Sequence, residues 1–325
     1  MIKEQVLIIG SNGLLGQKVL ELFVRGSANR VAAASIEERP ILDLQAVRYF
    51  PVDITSRKDV KQAISMVEPS VIINCAAMTN VDLCETEREK AWKINVDGVE
   101  NIVESAKKQN IRVVHLSTDY IFDGKGGPYG EEDRPSPLNY YGKTKLASEN
   151  VLLRSGIPHI IVRTMTLYGF AEGVRPNFPL WLLGNLEQGR SVSVVDDQFG
   201  NPTLVDDLAF GILKAVELGK TGIFNIAGRE IVSRYEFATR IARTFAFSDS
   251  LIRPIKTADL DQPAPRPLRS GLVTLKAEVE LGFKPSTVDE GLAVLRNQLM
   301  RFGRWVADKA AVAGHRPGRT GPGKW

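Results

Sequence analysis

The sequence predicts an α/β protein, a doubly wound parallel sheet carrying a smaller α/β lobe, on three observations. Short β-branched runs alternate with longer amphipathic stretches from residue 5 to about 165. A glycine-rich turn follows the first run and opens a helical pattern. Beyond residue 165 the alternation gives way to loops, prolines and isolated short runs.

The candidate strands are VLIIG (6–10), RVAAAS (30–35), VRYFPV (47–52), SVIINCA (70–76), RVVHLST (112–118) and HIIVRT (159–164). Near-continuous apolar runs of this kind suit strands covered on both faces, as in a parallel sheet. Between them, RKDVKQAISMV (57–67) and KINVDGVENIVESAKKQ (93–109) are amphipathic and long enough to cross over. Residues 1–165 are therefore expected to form the sheet domain, with some later segments returning to it, and 166–305 mainly the second lobe. Its recognisable pieces are LVDDLAFGILKAVEL (204–218), GIFNIAG (222–228), SRYEFATRIARTF (233–245) and STVDEGLAVLRNQLMRF (286–302). Residues 306–325 read as a basic, disordered tail.

The formal charge of +4 is mostly that tail: Lys309, Arg316, Arg319 and Lys324 against Asp308 give +3, leaving +1 for the rest. A nucleic-acid-binding face is not expected. No stretch approaches the roughly 20 apolar residues that span a bilayer, and the N-terminus lacks the pattern of an export signal. A cytoplasmic protein without membrane contact is the expectation. Cys75 and Cys84 fit neither a disulfide framework nor a zinc knuckle, and His115, His159 and His315 are scattered, so no metal is expected.

In GSNGLLG, Gly10, Gly13 and Gly16 sit between a strand and a helix, the setting in which backbone amides face a pyrophosphate. Asn12, Leu14 and Leu15 belong to the same loop, and the domain reads as Rossmann-type. Ser35 stands at the end of the second strand, where NAD enzymes place a carboxylate on the ribose. Glu37 and Glu38 follow late, and Arg39 is placed for a 2′-phosphate. NADPH is the expected cofactor, with NADH the alternative. Asp53 and Ile54, after the third strand, are placed to meet the adenine.

Tyr141 and Lys145 are four apart in a helical stretch and so share one face. A phenol, ordinarily near pKa 10, transfers protons better when an ammonium lowers it. Thr118 ends a strand at the carboxyl edge of the sheet, where it can hold a carbonyl oxygen. The three suit ketone reduction: Thr118 positions, Tyr141 gives the proton, and Lys145 lowers the tyrosine and holds the nicotinamide ribose. Asn95 is a candidate for ordering this site.

These residues resemble the dTDP-4-dehydrorhamnose reductases, a family of extended short-chain dehydrogenases. The resemblance runs through NCAAMTNVDLCE (74–85), LSTDYIFDG (116–124), YYGKTKLASE (140–149), RTMTLYG (163–169) and above all VVDDQFGNPTLVDDLA (194–209). It implies hydride transfer to C4 of dTDP-4-dehydro-L-rhamnose. It also implies cofactor contacts at Cys75, Ala76, Ala77 and Thr79, with Asp119, Tyr120, Asn177, Gln198, Phe199, Pro202 and Arg266 on the nucleotide-sugar side. Arg266 is the candidate partner of the substrate diphosphate. Thr166 departs from the family by replacing an expected aromatic. SPLNYYGKTKL also resembles the methionine adenosyltransferase beta subunit, which leaves a regulatory protein as an alternative, beside epimerases or dehydratases of the same fold. A homodimer is the default assembly.

Overall fold

The computed structural model describes residues 4–26 and 30–305; the basic tail lies outside them. Seven strands form one parallel sheet. β1 (Gln5–Ile9) lies at its centre, flanked by β2 (Arg30–Ser35) and β3 (Arg48–Pro51) on one side. On the other side come β4 (Val71–Asn74), β5 (Arg112–Thr118), β6 (His159–Thr164) and last the strand Gly222–Asn225. Strand order reverses between β1 and β4, which opens a crevice at their carboxyl ends.

Helices cover both faces, which is why the central strands contain almost no polar residue. On one face α1 (Leu14–Gly26) packs with later helices against Val6, Ile8, Ile73 and Val114. On the other, α2 (Arg57–Val67) joins Leu7, Ile9, Ile72 and Val113 in a second core. After β4 come two short helices, α3 (Val81–Thr86) and α4 (Arg88–Trp92), and then a π turn, Lys93–Asp97, that leads into α5 (Gly98–Lys107). Helix α6 (Tyr140–Ser155) returns the chain to β6.

The second lobe has its own core, built from α7 (Phe178–Leu186), Val192 and Val194, with other helices described below. One boundary differs from the expectation. The segment 204–218 forms α8 (Val205–Glu217), which lies against α1, and Gly222–Asn225 pairs with β6. Both are therefore part of the sheet domain, a further strand–helix–strand unit interrupted by the excursion through residues 165–204. That excursion hides the repeat in the sequence. The lobe proper adds α9 (Arg234–Thr244) and α11 (Val288–Arg301), whereas α10 (Leu275–Leu281) packs back on the sheet domain.

Helix α6 is held to β6 by a buried ion pair. Arg163 Nε and Nη2 donate to the two oxygens of Glu149 at 3.0 and 2.8 Å, and both side chains are almost wholly enclosed. Arg163 Nη1 also donates to the Glu131 carbonyl, 2.8 Å away, and the guanidinium lies over Phe122. Removing one member strands the other charge. Arg163→Met should lose about 3–5 kcal/mol of stability, read by urea denaturation, and Glu149→Leu added to it should restore most of the loss. A loss under ~1 kcal/mol in the single variant would show the pair to be solvated.

Candidate active site

The glycine loop turns at the head of the crevice. Gly10 and Ser11 amides both donate to Ala34 O on β2, and the Gly13 amide closes the turn on Gly10 O. A Cβ at Gly16 would stand 2.1 Å from Gly10 O, so α1 can begin this close to the loop only with glycine there. Leu14 and Leu15 open α1 and point into the core. Ser11 Oγ is buried with no hydrogen-bond partner among the described residues. An orphaned hydroxyl inside a tight turn at a helix start fits a phosphate-bearing ligand.

Asn12 folds the loop after β2 onto this turn: its amide donates to Glu37 Oε2, Arg39 O and Tyr49 Oη, while its oxygen accepts from Ile41 N. Glu37 is thereby drawn in, and although burial raises its pKa, hydrogen bonds from Ser35, its own backbone and Asn12 leave it lowered. Ser35 is buried at the end of β2, whereas Arg39 is exposed. Asp53 is occupied capping a turn through Thr55 N, and Ile54 packs on Gly98. Cys75 and Ala76 line the crevice beside Gly10. Burial pushes the Cys75 thiol up to about 12, so it is a neutral wall. Ala77 is half-buried and Thr79 exposed.

Thr118, Tyr141 and Lys145 come together where β5 meets α6. Asn139 caps α6 by accepting from Gly142 N (2.8 Å) and also donates to Pro265 O, while Tyr140 N donates to Glu85 Oε2. A Cβ at Gly142 would be 2.0 Å from Tyr120 O; its absence lets the helix sit directly on the turn after β5. The approach brings Tyr141 edge-on to Tyr120, with ring centroids 6.0 Å apart. Asn95, at the middle of the π turn, accepts from Met78 N and donates to Met78 O and to Thr144 Oγ1. It thus ties the loop after β4 to α6, as π turns at functional sites often do.

The electrostatics differ from the sequence expectation. The Tyr141 phenol is raised, first by burial and then by the Asp119 charge, against a lowering hydrogen bond with Thr118. Lys145 is not among the groups that shift it; the lysine amine lies 3.2 Å from His115 Nε2. Asn74 accepts from Ala76 N through its oxygen, so its amide faces His115 Nδ1 and the ring proton belongs on Nε2, toward Ser148 Oγ at 2.9 Å. An ammonium beside that N–H finds no acceptor. Burial brings Lys145 down to about 8, although Glu149 pulls the other way.

Asp119, Tyr120, Gln198, Phe199 and Pro202 line one pocket, together with Thr166 and Arg234. Asp119 is buried under the site: Thr118 donates to one oxygen (3.0 Å) and Ser270 to the other (2.5 Å), and burial raises its pKa to about 6. Thr166 adopts φ +41°, a strained setting for a β-branched residue. Asn177 begins α7, donating to Gly169 O, and is not in this pocket's lining. Arg266 pairs with Asp82: both terminal nitrogens donate to its carboxylate, at 2.9 and 2.8 Å, and one also to Ala264 O. This pairing leaves Nε–H and one Nη2–H without a protein acceptor among the described residues. Arg234, His115 and Asn74 escaped sequence reasoning; only the arginine's position just after a serine cap offered a hint.

A parallel sheet with this strand order, a glycine crevice, and a Thr–Tyr–Lys group facing a second lobe define a dinucleotide-binding protein of the short-chain dehydrogenase type. The model of the RmlD substrate binding domain matches residues 4–300, and the chain belongs to that family. It is 34% identical over 304 residues to the dTDP-4-dehydrorhamnose reductase of Aggregatibacter actinomycetemcomitans, covering 90% of this chain and 98% of that one. It superposes on the structure of dTDP-4-dehydrorhamnose reductase from Bacillus anthracis in complex with NADP at a TM-score of 0.79 and 29% identity, over 91% of this chain and all of the other. It is also 31% identical over 257 residues to methionine adenosyltransferase 2 subunit beta of Bos taurus, across 77% of this chain and 75% of that protein.

Lys145 sets a pH dependence of stability. Its pKa is about 8 in the fold against an ordinary 10.5, so between those values the unfolded chain holds the extra proton and stability rises with pH. Below about 8 the buried ammonium is a net burden. Lys145→Met should therefore match or exceed the wild type in Tm at pH 7, with the difference closing toward pH 10. A drop of several degrees at pH 7 would refute the burial account.

Proposed function

We propose that the protein reduces the C4 keto group of a nucleotide-activated 6-deoxysugar, dTDP-4-dehydro-L-rhamnose, with NADPH as the hydride source and NADH as the alternative. The observation that carries this is the meeting of Thr118 and Tyr141 between the glycine crevice and the pocket of the second lobe. A ketone there would meet a hydroxyl and a phenol, with the glycine loop at the carboxyl end of strand β1 in the same sheet.

The cofactor would supply two electrons and a hydrogen as hydride to C4. Every other task falls to the chain. Gly10, Gly13 and Ser11 face the pyrophosphate, and Cys75 and Ala76 wall the crevice. Thr118 turns its hydroxyl from Asp119 to the ketone oxygen. Tyr141, kept protonated by burial and by Asp119, gives its proton to the alkoxide as the C–H bond forms, and the product is an alcohol. The phenolate left behind needs a cation, and an ammonium at Lys145, one helical turn along, stands ready to take that part. Arg39, exposed near the end of β2, is the group we assign to a 2′-phosphate.

Purified protein supplied with NADPH and dTDP-4-dehydro-L-rhamnose should consume the reduced nicotinamide, and Tyr141→Phe should lower kcat/KM by about 10²–10⁴-fold with NADPH still bound. Absence of turnover with every 4-keto sugar nucleotide, alongside tight binding to a methionine adenosyltransferase, would move the reading to a regulatory subunit. Arg39→Ala should weaken NADPH about tenfold, the effect of losing one charge-assisted contact, and leave NADH unchanged. Equal effects on both cofactors would remove the 2′-phosphate assignment.

A further inference from the structure

Arg234 is the first residue of α9, directly after the Ser233 cap, and its side chain enters the pocket that also holds Asp119, Tyr120 and Gln198. Its backbone amide donates to Gln198 O at 2.9 Å, which fixes the helix start to the loop carrying Gln198 and Phe199. The guanidinium lies over the Phe178 ring, 4.9 Å from its centroid. Contact through that face leaves the in-plane N–H fork open.

Among the described residues no carboxylate forms an ion pair with Arg234. Asp119 and Tyr120 are close enough to favour its charge, while burial and the neighbouring Arg266 oppose it. Yet both Asp119 oxygens already accept from Thr118 and Ser270. Arg266, next to the lining residue Pro267, already pairs with Asp82. A poorly solvated guanidinium with an unfilled fork, facing a pocket, is arranged for an anion that arrives with a ligand.

We infer that Arg234 is the cation that receives the diphosphate of the nucleotide sugar. The inference rests on the reading above that such a sugar is the substrate. Tyr120 adjoins the Tyr141 ring, where the sugar ketone reacts. Arg234 shares the pocket lining with Tyr120 and with the partly exposed Phe199. The oxygens of a diphosphate match the planar guanidinium fork in a way that a point charge does not. Arg234 is thus a specificity-determining residue: it distinguishes sugars carrying a diphosphate from free sugars with the same ketone.

The test measures calorimetric affinities of dTDP, UDP, GDP and CDP for the full chain, takes the tightest, and repeats it with the matching free nucleoside. In Arg234→Gln that diphosphate should bind about 10–100-fold more weakly, while the nucleoside and NADPH bind as in the wild type. Arg234→Lys should recover part of the loss, and added salt should weaken the wild type more than Arg234→Gln. Where Arg234→Gln fails to bind NADPH and so fails to fold, the Lys variant and the salt series decide. Undiminished diphosphate affinity in the variants, equal loss of nucleoside and diphosphate, or no diphosphate binding by the wild type overturns the inference. Wild-type diphosphate binding that depends on Arg234, without turnover of any 4-keto sugar, upholds this inference and overturns the assigned reaction instead.

Discussion

The geometry of the site depends on how deeply α6 seats against the sheet, and the buried Arg163–Glu149 pair fixes that depth. Arg163 belongs to β6 and Glu149 to the third turn of α6, so their two parallel hydrogen bonds set the helix's rotation as well as its distance. Rotation decides which residues face β5. With Glu149 turned inward, Lys145 one turn earlier is also inward and buried, and Tyr141 a further turn back arrives at the mouth of the crevice. Gly142 makes the last part of this possible, since any side chain would push the helix off the Tyr120 carbonyl.

That seating has an electrostatic consequence that spacing alone does not convey. Two cationic side chains, Lys145 and Arg163, are brought into the helix–sheet interface, and only one meets a carboxylate at bonding distance. The amine of Lys145 faces a neutral imidazole whose proton the Asn74–His115–Ser148 chain assigns to the nitrogen nearest it. Burial then acts in opposite directions on the two groups of the Tyr–Lys pair, raising the phenol and lowering the amine. Both changes favour neutral forms, which is what a low-dielectric interface does to any ionisable group not directly paired.

Much of the sheet was legible in the sequence because buried parallel strands leave a strong local signal: VLIIG, VIIN and RVVHLST need no partner to be recognised. The glycine loop was legible for a related reason, its meaning being set by a strand before it and a helix after it. The second lobe was harder. Its pairings are short and distant, such as Phe199–Gly200 with Val232–Ser233 and Val192–Val195 with Ile252–Ile255, and no local pattern distinguishes them from loops. The return of Gly222–Asn225 to the sheet was obscured by forty intervening residues of a different architecture. Individual site residues divide along the same line. Thr118 and Tyr141 announce themselves by spacing, whereas the occupation of Arg266 by Asp82 joins residues 184 apart and belongs to tertiary structure alone.

Arg234 and Arg266 show why a residue type in a promising segment is weak ground for assigning a role. Arg266 lies in a stretch that resembles the family and has the right chemistry, yet its terminal nitrogens already pair with Asp82. Arg234 lies at an ordinary helix start, where an arginine usually faces water, yet its fork is open inside a cleft. What separates them is hydrogen-bond capacity, a quantity fixed only when every donor near the cleft has been matched to an acceptor. The same matching bears on Thr166. Its carbonyl accepts from Thr203 N, which holds the backbone at φ +41° and turns the short side chain into the pocket lining beside Arg234. Thr166 thus puts a short, strained side chain in the lining that Arg234 shares, where the resemblance implies an aromatic.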